Sequence, residues 1–450
     1  MKVIANFVAW FRSAAPYIHS FRGKIFVIGI SGEMVTDENF IFFIHDINLL
    51  ASLGVRLVLV HGARPQIVQR LNENRFTINS AMGIDITDTA SLQFAKEAIG
   101  RTHLEIEALL SMGLPNSPMA NAAIQVASGN FITACPFGVI NGVDFMHTGK
   151  VRKVNVSAIQ NSLNQGNVVL ISSLGHSPTG EIFNLTMENV ATEVASALHA
   201  EKLIFLLDSL DHHDESRNDE KPSLPRELTV AQCRMLLQNS EKTVSDLNAE
   251  VLKLLSCAIQ ACEQNVARTH LVNRHTDGAI LKELFTHYGI GCMISRESLE
   301  SIRKAHIDDV GSILQLIEPL ETEGILVRRS RELLEIEISR FIVFEHDSMI
   351  IGCAALYPFS QDGICELACL AVHPAYRSLG YGNRLLKAVE ELTISQGHDK
   401  LFVLTTHATH WFIEHGFHEV SLADLPKLKQ DLYNYKRKSK VYMKSLNQSG

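Results

Sequence analysis

Residues 55–60 read VRLVLV and residues 25–30 read IFVIGI, two apolar runs in which polar and apolar positions do not alternate. A strand with one wet face alternates. An unbroken Val/Ile/Leu run puts both faces under cover, as in parallel strands between layers of helices. The connection agrees: residues 40–53 read as a helix that stops at Gly54, suited to the left-handed turn ending a helix. Similar runs recur at 168–172 and 203–207, with helices between. Strand, helix, strand in this order makes the first half an α/β unit on a parallel sheet.

Ahead of it, Val3, Ile4, Phe7, Val8, Trp10, Phe11 and Ala14 recur at helical spacing, so a broad aromatic helix leads the chain as far as Pro16. Its face packs either on its own domain or on a second subunit, and the sequence does not separate these. Residues 208–225 (DSLDHHDESRNDEKPSLP) read as a solvated loop. Within 270–294, Ala279, Ile280, Leu284 and Phe285 give a helix, Gly289 and Gly291 a turn, and 292–294 a last strand. A short charged connection follows, and residues 307–310 open a second unit. There a helix reaches Leu320, strands at 341–345 and 350–357 form a hairpin around His346-Asp347-Ser348, and a further strand lies at 400–406.

A chain of 450 residues has room for two or three domains. Its net charge of -8 argues against a nucleic-acid surface. No apolar run reaches transmembrane length, and Asn6 and Arg12 interrupt the leading apolar stretch, so neither membrane span nor signal peptide is expected. The eight cysteines are scattered without a C-x-x-C pair, and most, lying in apolar runs, read as small buried hydrophobes of a reducing compartment, the cytoplasm.

The second half turns on residues 366–390, ELACLAVHPAYRSLGYGNRLLKAVE. Leu367, Leu370 and Val372, with Ala368 and Ala371, read as a buried strand that Pro374 stops. A helix follows from about Asn383, with Leu385, Leu386 and Val389 on one face. Between them lies Arg377-Ser378-Leu379-Gly380-Tyr381-Gly382. Its glycines let the backbone turn tightly and approach a ligand. The helix start behind it offers unpaired N–H groups and a positive dipole end, and Arg377 adds charge-assisted bonds. The stretch suits a pyrophosphate. It is not a P-loop, since no Gly-Lys-Ser/Thr follows, and it lacks the third glycine of a dinucleotide fingerprint.

This R-x-x-G-x-G, preceded by CLAVHP and followed by an amphipathic helix, resembles the acetyl-CoA loop of the GNAT acetyltransferases. The resemblance implies acetyl-CoA as cosubstrate, held by Leu370, Val372, Arg377, Ser378, Leu379, Gly380, Tyr381 and Gly382, and no metal. The first half resembles the amino acid kinase fold, most closely acetylglutamate kinase. That family opens with a strand, a lysine and paired glycines, and continues with a His-Gly-Gly-Gly turn. Here Gly29 stands in the lysine's place, Ser31 in that of the first glycine, and Ala63-Arg64 close the second turn. Phosphoryl transfer depends on positive charge and backbone donors around the γ-phosphate, so kinase activity is not expected. Residues 270–294 resemble the arginine-binding segment of arginine-inhibited acetylglutamate kinases. The matching positions are His270, Glu283 and Gly289, with Tyr17 from the leading helix. A guanidinium needs carboxylate and carbonyl acceptors, which a helix C-terminus and Glu283 supply.

A kinase-like unit followed by an acetyltransferase unit is the order of the bacterial N-acetylglutamate synthases. The resemblance extends over nearly the whole length, including ILVRRSRE at 325–332 and LYNYKRKSK at 432–440. It implies transfer of acetyl from acetyl-CoA to the amine of L-glutamate, the first step of arginine biosynthesis, with L-arginine as feedback inhibitor. Glu366 then matches the general base and Thr405 the hydroxyl that meets the leaving thiolate. Arg328, Arg437 and Ser439, with the backbone at Leu326, match the contacts of the two substrate carboxylates. The implied architecture is α/β: an amino acid kinase-like parallel sheet sandwich over 1–295, a linker over 296–303 and a GNAT α+β domain over 304–450. It would assemble as a homo-oligomer, a hexamer by resemblance. The competing reading is an arginine-sensing acetyltransferase that modifies protein lysine or another small amine. The Arg328 and Arg437 match favours a small acidic amine, since a protein acetyltransferase needs an open groove instead.

Overall fold

The computed structural model describes residues 2–112, 124–208, 224–240, 248–286, 289–377, 379–435 and 437–446. Most of the stretch expected as a loop at 208–225 lies outside the described residues. Internal contacts divide the chain into two units, Met1–Glu297 and Ser298–Gly450.

In the first unit an eight-stranded sheet carries the core. Ile25–Ile30 and Arg56–His61 lie parallel near its centre, in register from Ile25↔Arg56 to Ile30↔His61. Val168–Ser172 adds on one side, and Lys202–Leu207 then Arg268–Asn273 on the other, all parallel. Cys292–Ser295 turns back antiparallel. The unbroken apolar runs have a simple cause: successive side chains enter two different cores. Val27, Val58 and Phe205 pack with Val190, Val194 and Leu254 from helices Met187–Ala197 and Ala249–Glu263. Phe26, Ile28, Leu57 and Leu59 pack with Ile44, Ile47 and Leu50 from helix Phe40–Ser52. Each such side chain contributes roughly 1.5–3 kcal/mol on burial, so this double-sided sheet is the main source of the unit's stability.

The leading helix departs from expectation, running Lys2–Phe21 straight through Pro16. Proline removes a helix hydrogen bond and crowds the preceding turn. Past it, however, Tyr17, Ile18 and Phe21 pack into the core, and Phe21 meets Phe26 at 5.3 Å and Phe285 at 5.8 Å. Tertiary contact keeps the last turn helical.

In the second unit seven strands follow the order Glu300–Lys304, Phe341–His346, Met349–Phe359, Ile364–Val372, Lys400–Thr405, Lys440–Ser445, His418–Val420. Part of the expected linker at 296–303 is thus the edge strand. Its charges misled the reading, because Arg303 is held by Asp309 at 2.7 Å and Glu345 at 2.6 Å along that edge. Asp347 and Ser348 form the two-residue hairpin loop with φ of 47° and 63°, the turn that matches strand twist. Helix Val310–Thr322 buries Ile313, Leu316 and Ile317 with Phe341, Val343 and Cys353. Helix Tyr381–Ser395 buries Leu385, Leu386 and Val389. No described helix is long and apolar enough to cross a membrane.

Candidate functional site

The strands Ile364–Val372 and Lys400–Thr405 run parallel but pair only from Ile364↔Lys400 to Leu367↔Val403. Both continue beyond that rung, one to Val372 and the other to Thr405. A bulge lies on the far edge of Ile364–Val372. Its pairing with Met349–Phe359 slips between Ala355↔Ala368 and Cys353↔Ala371, so two steps on one strand face three on the other. Cys369, at φ 54°, belongs to this bulge. A bulge bends its strand and raises the local twist, and here the bend coincides with the parting of the parallel pair. A cleft opens whose wall is strand backbone released from its neighbour. That suits an extended ligand with amide groups of its own, which can bond along a free strand edge.

Glu366 sits on the second-last rung before the cleft, opposite Phe402, and is 6% exposed. Burial pushes its carboxyl above the usual carboxylate range, opposed by Lys429 and Arg329. Lys429 Nζ lies 2.7 Å from Glu366 Oε1. A buried carboxylate with a raised pKa is a better proton acceptor than an exposed one. Thr405, also buried, ends the other strand. Its Oγ1 accepts from the Ala408 amide at 3.1 Å and the His407 amide at 3.4 Å. A hydroxyl already accepting two bonds keeps its own proton to donate.

Leu370 and Val372 are half-buried beyond the bulge, and exposed Arg377 donates through Nε to the Val372 carbonyl at 3.3 Å. Ser378 lies outside the described residues. Leu379 is exposed, and Gly380 caps the helix at φ 80°. The helix begins at Tyr381, two residues ahead of the expected Asn383. Tyr381 uses its ring inside the unit, edge-on to Phe344 at 5.1 Å with its hydroxyl 2.8 Å from Glu300. What it and Gly382 present at the helix start is their backbone N–H, in a turn without intrahelical partners.

Arg437 donates to the carbonyls of Ile325 and Gly324, which fastens the C-terminal segment to the loop bearing Leu326. Ser439 is buried, its carbonyl accepting from the Tyr433 hydroxyl at 2.6 Å. Arg328 is exposed, whereas its neighbour Arg329 is half-buried. Arg329 donates to the Val327 carbonyl at 3.1 Å and interacts electrostatically with Tyr357, Cys369 and Glu366. Burial, and then Arg329, lowers the pKa of Arg437. Two guanidiniums that feel each other in a partly dry site suit an anion between them. Arg329 and Lys429 were missed by sequence reasoning. Arg329 could have been found as the second arginine of the pair, but Lys429 stands in KLKQD, which reads as a solvated charge run.

In the first unit, Lys202 Nζ lies 3.1 Å from His270 Nε2, and His270 Nδ1 lies 2.6 Å from Glu283 Oε1. Glu283 Oε2 accepts the amides of Ile290 and Gly291, both at 2.7 Å. Burial and Lys202 lower the His270 pKa to about 4, so His270 is neutral, accepting from Lys202 and donating to Glu283. Burial alone would raise Glu283, but His270 and the two amides hold it at about 2. Gly289 has φ 56°, and a Cβ there would stand 2.5 Å from Glu283 Oε2. Tyr17 is half-buried in the core cluster that contains Phe285. His270, Glu283 and Gly289 are therefore brought together, around a carboxylate already satisfied from within.

At the first kinase-like turn the space beside the backbone is filled: a Cβ on Gly29 would lie 2.6 Å from Met187 Sδ and 2.8 Å from Phe205 Cδ1. At the second turn exposed Arg64 pairs with Asp85 at 2.8 Å.

Residues 24–273 match the Amino acid kinase family and residues 337–419 the Acetyltransferase (GNAT) domain. An amino-acid acetyltransferase of Ralstonia nicotianae is 47% identical over 98% of this chain and 96% of its own length. One of Vibrio atlanticus is 46% identical over 96% and 97%. The crystal structure of N-acetylglutamate synthase from Neisseria gonorrhoeae complexed with coenzyme A and L-arginine is 37% identical. It covers 98% of this chain and 100% of that one at a TM-score of 0.85. The structure of that enzyme complexed with coenzyme A and N-acetyl-glutamate gives 0.61 at the same identity.

Proposed function

Because the chain belongs to the amino-acid acetyltransferases, we propose that it transfers the acetyl group of acetyl-CoA to the α-amine of L-glutamate. The observation that carries this reading is the buried Glu366 at the mouth of the cleft between the parted strands. An ammonium must lose a proton before its nitrogen attacks a thioester, and Glu366 takes that proton. The nitrogen adds to the thioester carbonyl, backbone N–H groups of the bulge near Leu370 stabilise the oxyanion, and CoA leaves as thiolate to meet the Thr405 hydroxyl. Arg377, Leu379, Gly380, Tyr381 and Gly382, with Ser378, receive the pyrophosphate at the helix start, and the strand backbone at Leu370 and Val372 bonds the chain of the cofactor. Arg328, Arg437, Ser439 and the Leu326 backbone bind the two carboxylates, assisted by the inward Arg329. Guanidinium forks suit carboxylates in this role.

We assign L-arginine, the end product of the pathway that this reaction opens, to Tyr17, His270, Glu283 and Gly289 as a feedback inhibitor. The kinase-like unit is a regulatory scaffold. The chain works in the cytoplasm, a reading that the eight free cysteines support. A homo-oligomer is supported by the leading helix. Phe7, Trp10 and Phe11 are each 46–59% exposed, and Phe7 stacks on Phe11 at 5.9 Å. Covering this patch with another copy removes it from water.

The deciding assay follows CoA release from acetyl-CoA with L-glutamate, and with aspartate, lysine and a peptide as controls. Glutamate should be preferred by a wide margin. Glu366→Gln keeps size but removes basicity, so kcat should fall roughly 10²–10⁴-fold with little change in acetyl-CoA affinity. Equal rates on all amines, or a variant of wild-type speed, would overturn the reading.

A further inference from the structure

Lys429 belongs to the short helix Lys427–Asp431. Leu425, just before it, is buried with Ile364 and Phe402 of the sheet, and Gln430 Nε2 fastens the helix to the preceding segment by donating to the carbonyls of Leu425 at 2.7 Å and Ala423 at 3.1 Å. The Lys429 side chain is 22% exposed, and its ammonium meets Glu366 Oε1 at 2.7 Å, where the carboxylate is 8% exposed. A primary alkylammonium is therefore held on the carboxylate that the proposed reaction uses to deprotonate a primary alkylammonium. The two amines belong to one chemical class, and both must be deprotonated before they can attack.

We propose that Lys429 is a self-acetylation site: with acetyl-CoA bound and no amine substrate present, the Lys429 ε-amine takes the acetyl group. The step balances as the main reaction does. Glu366 accepts one proton from the ε-ammonium, the neutral nitrogen adds to the thioester carbonyl, and a C–N bond forms as the C–S bond breaks. CoA departs with the electron pair of that bond, and its thiolate takes the second proton, which the nitrogen releases as the amide forms. The products are Nε-acetyl-Lys429 and CoA, and no further reactant is needed. Because a substrate ammonium competes for the same carboxylate, L-glutamate protects Lys429. Acetylation removes the charge that pairs with Glu366, so the modified enzyme carries a carboxylate with no cation bonded to it.

The inference rests on the assignment of Glu366 as base, and one experiment separates the two. Purified full-length protein is incubated with acetyl-CoA, with and without L-glutamate, and acetylation is mapped by peptide mass spectrometry while N-acetylglutamate is measured in the same tubes. Lys427, two residues away, reports non-enzymatic acetylation. The expected result is acetyl-Lys429 well above acetyl-Lys427, suppressed by glutamate and lowered roughly 10²-fold or more in Glu366→Gln. Lys429→Arg should lose the modified peptide and nothing else in the map. Lys429 no more acetylated than Lys427, or equally acetylated in Glu366→Gln, overturns self-acetylation. In that case a wild-type enzyme that makes N-acetylglutamate, beside a Glu366→Gln variant that does not, leaves the base assignment standing. If the variant makes N-acetylglutamate at the wild-type rate, the base assignment itself falls. The glutamate protection is read on wild type alone, so it does not depend on how the variant folds.

Discussion

His270 Nδ1 lies 2.6 Å from Glu283 Oε1, with both side chains 4% exposed and Lys202 at the other ring nitrogen. Burial and that lysine bring the histidine from 6.5 down to about 4, so between these pH values the unfolded chain binds a proton that the folded one refuses. Stability therefore rises with pH across this window and is lost as pH falls through it. At about 1.4 kcal/mol per pH unit, the effect reaches at most roughly 3 kcal/mol. Buried His61, also lowered to about 4, adds in the same direction. Chemical denaturation at pH 4.5 and 7, values chosen as roughly spanning the window, should show a smaller pH dependence in His270→Gln than in wild type. Equal slopes would mean that the histidine is not held neutral.

Much of this architecture could be read in the residues, and what could not has identifiable causes. The unbroken runs at 25–30 and 55–60 specify a covered parallel sheet because side chains on both faces enter a core. The loop at 377–382 was legible because glycine and a helix start carry a local signal. The bulge at Cys369 was not. A left-handed cysteine has no sequence signature, and the slip becomes visible only through the register with Met349–Phe359. Pro16 misled for the opposite reason, since its local cost is overridden by contacts of Phe21 that are distant in sequence. Lys429 was hidden because a charge run looks the same whether its lysines meet water or a buried carboxylate.

Glu283, expected to offer its carboxylate to a guanidinium, is bonded to His270, Ile290 and Gly291. Removing it does two things at once. Glu283→Ala leaves buried donors unpaired, at about 1–3 kcal/mol each, so the melting temperature should fall. If the arginine assignment holds, much more arginine is then needed for half-inhibition, while uninhibited kcat stays near wild type. A variant that melts lower but responds to arginine as wild type does would move the site elsewhere. Couplings between such sites are typically ~1–3 kcal/mol, ample for a dose-response curve to resolve.

Gly29 tests the loss of kinase chemistry. Its Cβ direction is filled by Met187 and Phe205, so a lysine cannot be restored by substitution alone. Gly29→Lys should destabilise the first unit, as overpacking does, by roughly 1–3 kcal/mol or more, and should produce no ADP from ATP-Mg²⁺ and N-acetylglutamate. Wild type should likewise stay at background. ADP turnover by either protein would show that positive charge reaches the γ-phosphate by another route.

Lys429 and Glu366 give the pH dependence of the reaction its direction. Burial raises the carboxyl, while Lys429, by charge and hydrogen bond, pulls it back, with Arg329 helping from further away. A base works only when ionised, so the acid limb of the kcat/KM profile marks the pH at which Glu366 becomes protonated in free enzyme. Removing the ammonium removes part of the downward pull and leaves the desolvation unopposed by its nearest cation. Lys429→Met, similar in length and uncharged, should therefore move the acid limb to higher pH. Activity is then lost from the acid side of the profile and recovered as the buffer becomes more alkaline. Lys429→Arg keeps a cation and should leave the limb close to wild type. A merely structural role for Lys429 would lower the whole profile without displacing it. An unmoved limb in Lys429→Met would mean that the ion pair at 2.7 Å is absent from the working enzyme.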